Sequence, residues 1–304
     1  MILQKGFADE YLENYKNDKI QMGLGIGLPT PDYHLSYKQG EFTIINGLDN
    51  VGKTVWILWY FLCLSVKHNL TWVIWSGENK SEQLVRQLIQ FRSGKRLKDL
   101  ELKDIYRYRA EIDQWFSFVD NKNLYKSSDL LKIFKQSGCS GALIDPYTGL
   151  DREFTHAANY DFLNETRHFV NSEGISVFVN THPNTEASRR IYPLEHDLAG
   201  YQMPPIRSQS EGGQPFANRP DNFLTIHRLV GHPEYQYQTF VYVRKVKDTE
   251  TGGTPNGNDD PLVFEFNSGL GFTSNGQNPL TNTIKDSQTF DNLEINHNFD
   301  EAPF

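Results

Sequence analysis

The run Gly47-Leu48-Asp49-Asn50-Val51-Gly52-Lys53-Thr54 constrains this chain more than any other segment. Glycines at its first and sixth positions let the backbone curl until its N–H groups converge on an anion, and a helix that starts there points its positive end at the same anion. The pattern has meaning only between a strand and a helix. Ahead of it, Glu41 to Asn46 (EFTIIN) is a β-branched run that reads as a strand. Behind it, Val55 to Val66 (VWILWYFLCLSV) is almost wholly apolar, as a helix buried against a sheet must be. The segment therefore reads as a phosphate-binding loop for ATP or GTP. Gly47, Asn50, Val51, Gly52, Lys53, Thr54 and Val55 are expected to surround the phosphates. Lys53 is expected to reach the β- and γ-phosphates, and Thr54 to give its hydroxyl to Mg²⁺.

The rest of the chain supplies the sheet such a loop needs. Leu70 to Trp75, Phe116 to Val119, Gly141 to Asp145 and Ile175 to Asn180 read as further strands. Ser81 with Leu84, Leu88 and Phe91, Leu97 to Gln114, Leu130 to Phe134 and Asn159 to Val170 read as helices between them. Phe223 to Arg228, Thr239 to Val246 and Leu262 to Phe266 then follow as consecutive strands. Alternating strands and helices predict an α/β fold: a central, mostly parallel twisted sheet with helices on both faces. The later run predicts antiparallel strands at its C-terminal edge. The glycines and prolines between Gly23 and Pro31 mark a loop. The expected organisation is an N-terminal linker helix in 1–22, an ATPase domain in 23–271 and a disordered acidic tail in 272–304.

Two carboxylates stand where an ATPase needs them. Asp145 ends an apolar strand downstream of the loop, the place for a second Mg²⁺ ligand beside Thr54. Glu78, in Ser76-Gly77-Glu78-Asn79, follows the strand after the loop and is placed to polarise an attacking water. Each also has a plain reading: Asp145 as a turn cap before Pro146, and Glu78 as a surface acid near a helix start.

Bulk properties bound the partners. The net charge is −8, from 30 basic and 38 acidic residues, so any nucleic-acid contact must be local, not spread over the surface. No apolar run approaches the roughly 18 residues of a membrane span, and no membrane partner is expected. Cys63 and Cys139 are the only cysteines, in apolar or small-residue settings, which fits a reducing cytoplasm.

With these residues in place, the chain resembles the RecA-like ATPase domain of DnaB-family replicative helicases, including phage and Twinkle-type members. The similarity runs from about residue 23 to 271. It begins in Gly27-Leu28-Pro29-Thr30-Pro31-Asp32 and Tyr37-Lys38-Gln39-Gly40-Glu41-Phe42, which lead into the loop. Ser76-Gly77-Glu78-Asn79 with Ser81, Gln83, Leu84 and Arg86 is similar to the family segment that carries the catalytic glutamate. Ile144-Asp145-Pro146-Tyr147 is similar to the Mg²⁺-carboxylate strand. Val179-Asn180-Thr181-His182-Pro183 resembles the strand end that carries a γ-phosphate sensor, which makes His182 that residue. The stretch from Gly212 to Phe223 resembles the motif after the second DNA-binding loop. Val243-Arg244-Lys245-Val246-Lys247-Asp248 with Thr251-Gly252-Gly253 resembles the basic motif that acts on a neighbouring subunit.

The chain departs from the family at that motif. The usual arrangement is Lys-x-Arg, and here it is Lys245-x-Lys247. A lysine still neutralises charge but lacks the guanidinium fork. Lys247 is the expected finger and Arg244 the alternative. The resemblance also implies a ring, expected to be a homohexamer, that moves along single-stranded DNA by loops near 149–160 and 199–218. Arg189, Arg190 and Arg207 are the candidate DNA contacts. The last residues, from Asn298 to Phe304, are acidic and end in Pro303-Phe304, a possible dock for a replisome partner. The location implied is cytoplasmic, in a bacterial host if the chain is phage-encoded. A recombination ATPase that forms filaments and a nucleotide-binding loader without turnover are the competing functions. Electron microscopy with DNA separates rings from filaments, and DNA-stimulated hydrolysis separates a motor from a scaffold.

Overall fold

The apolar runs become the strands of one twisted sheet. In the computed structural model, which describes residue 6, residues 8–153 and residues 155–282, these are β1 (Phe42–Asn46), β2 (Trp72–Ser76), β3 (Phe116–Phe118), β4 (Gly141–Asp145), β5 (Ser176–Thr181), β6 (Asn222–His227), β7 (Gln238–Val246), β8 (Leu262–Phe266) and β9 (Phe272–Thr273). The sheet order is β3-β2-β4-β5-β1-β6-β7-β8-β9. Pairing is parallel from β3 through β6 and antiparallel from β6 to β9. The fold is the expected one.

The helices are α1 (Asp9–Lys16), α2 (Pro29–His34), α3 (Lys53–His68), α4 (Ser81–Ser93), α5 (Leu102–Trp115), α6 (Ser127–Ser137), α7 (His156–Glu173), α8 (Thr185–Arg189), α9 (Gln214–Asn218) and α10 (Pro279–Asn282). Both faces of the parallel part are covered, which is why its strands are apolar throughout. Side chains alternate between the faces with the period of two that a strand imposes. Phe42 and Ile44, Val73 and Trp75, Ala142 and Ile144, and Val177 and Val179 pack under α6, α7 and α9 with Leu130, Phe134, Leu163 and Phe216. Ile45, Trp72 and Ile74, Leu143 and Phe178 face the other way, against α3, α4 and α5.

Helix α3 is buried on nearly every side, and its sequence shows it. Trp56, Trp59, Phe61, Leu62 and Leu64 have no exposed surface. Phe61 stacks on Trp72 of the sheet, with ring centroids 3.8 Å apart. The opposite side is covered by the antiparallel strands: Trp56 and Trp59 meet Phe264 edge-on at 5.6 Å, and Trp59 meets Phe272 at 5.3 Å. The strands after β6 thus clamp the helix that begins at the phosphate loop.

Several elements differ from the sequence reading. The Gly/Pro segment before β1 contains α2, because proline is tolerated in a first helical turn. The Asp32 carboxylate of α2 accepts the Ile26 and Gly27 amides at 2.7 and 2.8 Å. The helix expected over Leu97 to Gln114 divides into a 3₁₀ turn at Leu97–Asp99 and α5. Helix α7 starts earlier than expected, because Thr155 caps it by accepting the Ala158 amide at 3.1 Å. Ordered packing also continues past 271: Phe272 and Leu280 are 2% and 1% exposed. The rest of the expected tail, with Pro303 and Phe304, lies outside the described residues. Among the described residues no helix is long and apolar enough to cross a membrane.

Candidate nucleotide site

The C-terminal ends of β2, β4, β5 and β1 lie side by side, and each delivers polar residues to one crevice. At the end of β1, the Asn46 side-chain oxygen accepts the Gly47 amide at 3.0 Å. A Cβ on Gly47 would lie 2.4 Å from the Ile226 carbonyl oxygen, so only glycine fits there. Asn50 and Gly52 have φ of 60° and 88°, the left-handed turns that swing the chain back into α3. Lys53, in the first turn of that helix, is 8% exposed. Its Nζ donates to the carbonyls of Gly47 and Leu48 at 2.7 and 3.0 Å. Burial lowers its pKa, and the carboxylates of Asp145, Asp49 and Glu78 pull it back up.

Asp145 closes β4 and is 2% exposed. Thr54 Oγ1 lies 3.0 Å from both of its oxygens. Ser76 Oγ donates to it at 2.8 Å and Asn180 Nδ2 at 2.6 Å. Asn79 Nδ2 is more distant, at 3.4 Å, and also donates to Ser76 Oγ at 3.1 Å. A carboxylate with this many donors is held in one rotamer. Glu78, just beyond β2, has a side chain that is 60% exposed. His182, just beyond β5, stands between two acids: Nδ1 is 2.8 Å from Asp49 Oδ1, and Nε2 is 3.8 Å from Glu78 Oε1.

Asp49, Lys53, Thr54, Glu78, Asn79, Asp145 and His182 line a cavity of about 570 Å³, together with Asn50, Gly52, Val55, Pro146, Thr148 and Glu211. Asp49, Glu78, Asp145 and Glu211 there outnumber Lys53 and His182. The lining fits a polyphosphate that arrives with a divalent cation. The loop amides and Lys53 suit the phosphates, and Thr54 with Asp145 forms the hydroxyl–carboxylate pair that Mg²⁺ takes alongside phosphate oxygens and water. Among the described residues no cluster of three or more His, Cys, Asp or Glu forms a metal cage of protein ligands alone.

The structure thus brings Lys53, Thr54, Glu78, Asp145 and His182 around one cavity. Six other candidates stand apart from it. Lys245 and Lys247 lie at the end of β7 that pairs with Asn222, the opposite end of the sheet from the phosphate loop. Lys245 Nζ donates to the Asn218 and Pro220 carbonyls at 2.7 Å each. Lys247 is freer, with a side chain 67% exposed and 3.4 Å from Asp221. Arg244 is engaged by Asn258 and lies 4.3 Å over the Tyr242 ring. Arg189 and Arg207 are exposed, Arg207 in the 199–218 loop. Arg190 is used internally, donating to Gln209 at 3.1 Å. That loop is tied to the strand carrying His182: the Glu211 amide donates to the His182 carbonyl at 2.9 Å, and the Asn184 amide to the Gln209 carbonyl at 2.7 Å.

Sequence reasoning did not single out Asp49, Ser76, Asn79, Asn180 or Glu211 as site residues. For Ser76 and Asn180 a signal was present: each is a polar residue ending an otherwise apolar buried strand. Their meeting at Asp145 depends on β4 lying between β2 and β5, which no local pattern encodes.

Comparison with known proteins places this architecture. No protein-family model matches the chain. A curated relative, the Twinkle homolog protein, chloroplastic/mitochondrial, of Arabidopsis thaliana, is 26% identical over 252 residues, covering 74% of this chain. The chain spans about a third (33%) of that relative's length. Among solved structures, the ATPase domain of G40P matches with a TM-score of 0.70 at 14% identity, over 89% of this chain and 99% of that one. A structure described as a DnaB-like replicative helicase and its interactions with primase matches with a TM-score of 0.69 at 14% identity, over 90% and 68%. The chain has the RecA-like α/β fold of DnaB-type helicase ATPase domains.

Proposed function

We propose that this chain is the motor of a replicative DNA helicase: an ATPase that assembles with copies of itself into a ring, expected to be a homohexamer, and moves along single-stranded DNA. The observation that carries this reading is the division of the candidate residues. Lys53, Thr54, Glu78, Asp145 and His182 line one cavity, whereas Lys245 and Lys247 sit at the far end of the sheet. A lysine so placed is of no use to its own nucleotide and is available to a neighbour's.

In this mechanism the loop amides and Lys53 hold the β- and γ-phosphates of ATP. Thr54 and Asp145 hold Mg²⁺, which when bound draws charge off the phosphate oxygens. Glu78 orients the attacking water and accepts its proton. His182 faces the same space and senses the γ-phosphate. Lys247 of an adjoining copy adds positive charge as the terminal phosphate leaves, acting as a point charge in place of the usual arginine fork.

Two further features support assembly. Helix α1 has no buried residue and exposes Tyr11, Leu12 and Tyr15, which suits an arm that packs on an adjoining copy. The loop carrying Arg207 is fastened to the His182 strand, so a strand of DNA on that loop and a γ-phosphate at His182 act on one backbone segment. Forked DNA with single-stranded tails of either polarity tests the proposal. ATP-dependent strand displacement is expected on one of the two substrates, and Lys53→Ala should abolish it. A wild-type protein that displaces no strand on either substrate would end the helicase reading.

A further inference from the structure

Asp145, the carboxylate proposed to hold Mg²⁺, sits in a row set by the sheet register. Ser76 pairs with Asp145 across β2 and β4, and Ile144 pairs with Val179 across β4 and β5. The next residues of those two strands, Asp145 and Asn180, are therefore neighbours on the same face. Asn180 has no exposed surface. Its Nδ2 donates to Asp145 Oδ1 at 2.6 Å, the shortest of the contacts on that carboxylate. Its other amide atom, Oδ1, is buried and has no hydrogen-bond partner. An apolar residue would cost less at this point in the strand, since its neighbour Val179 is apolar and fully buried.

We infer that Asn180 is a positioning residue for the metal of the bound nucleotide. Its N–H fixes the rotamer of Asp145 from behind the cavity wall, so that the carboxylate stays beside Thr54. The inference rests on the ATP–Mg²⁺ reading of the site and adds to it a residue that no metal-binding pattern in the sequence names. Partners of this kind orient a ligating carboxylate, and their loss weakens metal affinity by roughly tenfold to a hundredfold.

Asn180→Val and Asn180→Thr test it. The two replacements have nearly the same shape and both suit a strand, and only threonine keeps a donor. The full-length protein is titrated with a fluorescent ATP analogue in EDTA, and then with Mg²⁺ at fixed analogue. Asn180→Val should raise the Mg²⁺ half-saturation point by roughly tenfold or more. It should leave metal-free analogue affinity within about twofold, because the loop amides and Lys53 are untouched. Asn180→Thr should recover part of the loss. Wild-type Mg²⁺ dependence in both variants would overturn the inference. Equal weakening with and without Mg²⁺ would also overturn it, since that marks a merely structural residue. If Asn180→Val does not fold, Asn180→Ala, which also lacks the donor, decides: a half-saturation point equal to wild type refutes the role. The readout is binding, so a wild-type protein that binds Mg²⁺ and nucleotide without turnover would defeat the motor reading and leave this test intact.

Discussion

At the scale of single residues, the site and its surroundings use burial in two opposite ways. Asp145 is buried and surrounded by donors, so its oxygens are satisfied. His227, at the end of β6, is 1% exposed, and neither ring nitrogen has a hydrogen-bond partner. Burial therefore suppresses its charge and pushes its pKa down from 6.5 to about 4, with Arg244 adding to the effect and the nearby Gln202 backbone opposing it. The sign of the pH effect follows. Above pH 6.5 the ring is neutral in both folded and unfolded chains and stability is indifferent to it. Between 6.5 and 4 the unfolded chain takes up a proton that the folded chain refuses, so stability falls as pH falls. Below about 4 both are charged and the loss levels off at about 3 kcal/mol. Urea unfolding of wild type and His227→Phe between pH 7 and 4.5 checks this. The wild type should lose about 2 kcal/mol more than the variant over that range. Parallel curves would show that His227 is not a buried neutral group.

At the scale of elements, the C-terminal strands matter to the phosphate loop because they clamp α3 from behind. Removing 272–304 takes away Phe272, which meets Trp59 and Phe266 at 5.3 and 5.1 Å, and the buried Leu280. Removing only 283–304 leaves both. The shorter truncation should unfold like the full chain, whereas the longer one should lose about 3 kcal/mol or more, as expected for deleting large buried side chains. Thermal unfolding of the two proteins measures the difference, and equal midpoints would mean that these residues do not hold α3.

That boundary also shows where the sequence stopped being legible. Strands β1, β2, β4 and β5 could be read because both their faces are buried and every residue is apolar or nearly so. Helix α3 could be read for the same reason. Short elements such as α8, α9, β9 and α10 gave no periodic signal, because their order comes from packing on elements distant in the chain. The site divides in the same way. Lys53, Thr54, Asp145, Glu78 and His182 follow strands and could be placed from local pattern and resemblance. Asn180 and Ser76 required the lateral order of the sheet, and Asp49 at His182 required the folded loop.

At the scale of the whole molecule, the candidate residues fall into two groups that a single copy does not bring together. If each active site takes Lys247 from an adjoining copy, a subunit without Lys53 can still donate its lysine, and a subunit without Lys247 can still bind ATP. Lys53→Ala and Lys247→Ala should each be inactive alone. Mixed in equal amounts and allowed to exchange, they should regain about a quarter of the wild-type DNA-stimulated ATPase rate, the share of interfaces that join an intact cavity to an intact lysine. No recovery, with exchange verified by labelled subunits, would place the trans-acting cation elsewhere, with Arg244 the next residue to test.

The cavity lined by Asp49, Glu78, Asp145 and Glu211 has a consequence for the fuel supply of the proposed motor. If the pocket takes ATP as proposed, polyphosphate alone is held by the loop amides and Lys53 against four carboxylates, and among the described residues a divalent cation alone finds no cage of protein ligands. Each would strengthen the hold on the other, so filling would respond to both concentrations together. A cell short of magnesium would then leave the proposed motor idle, with its sites only sparsely filled.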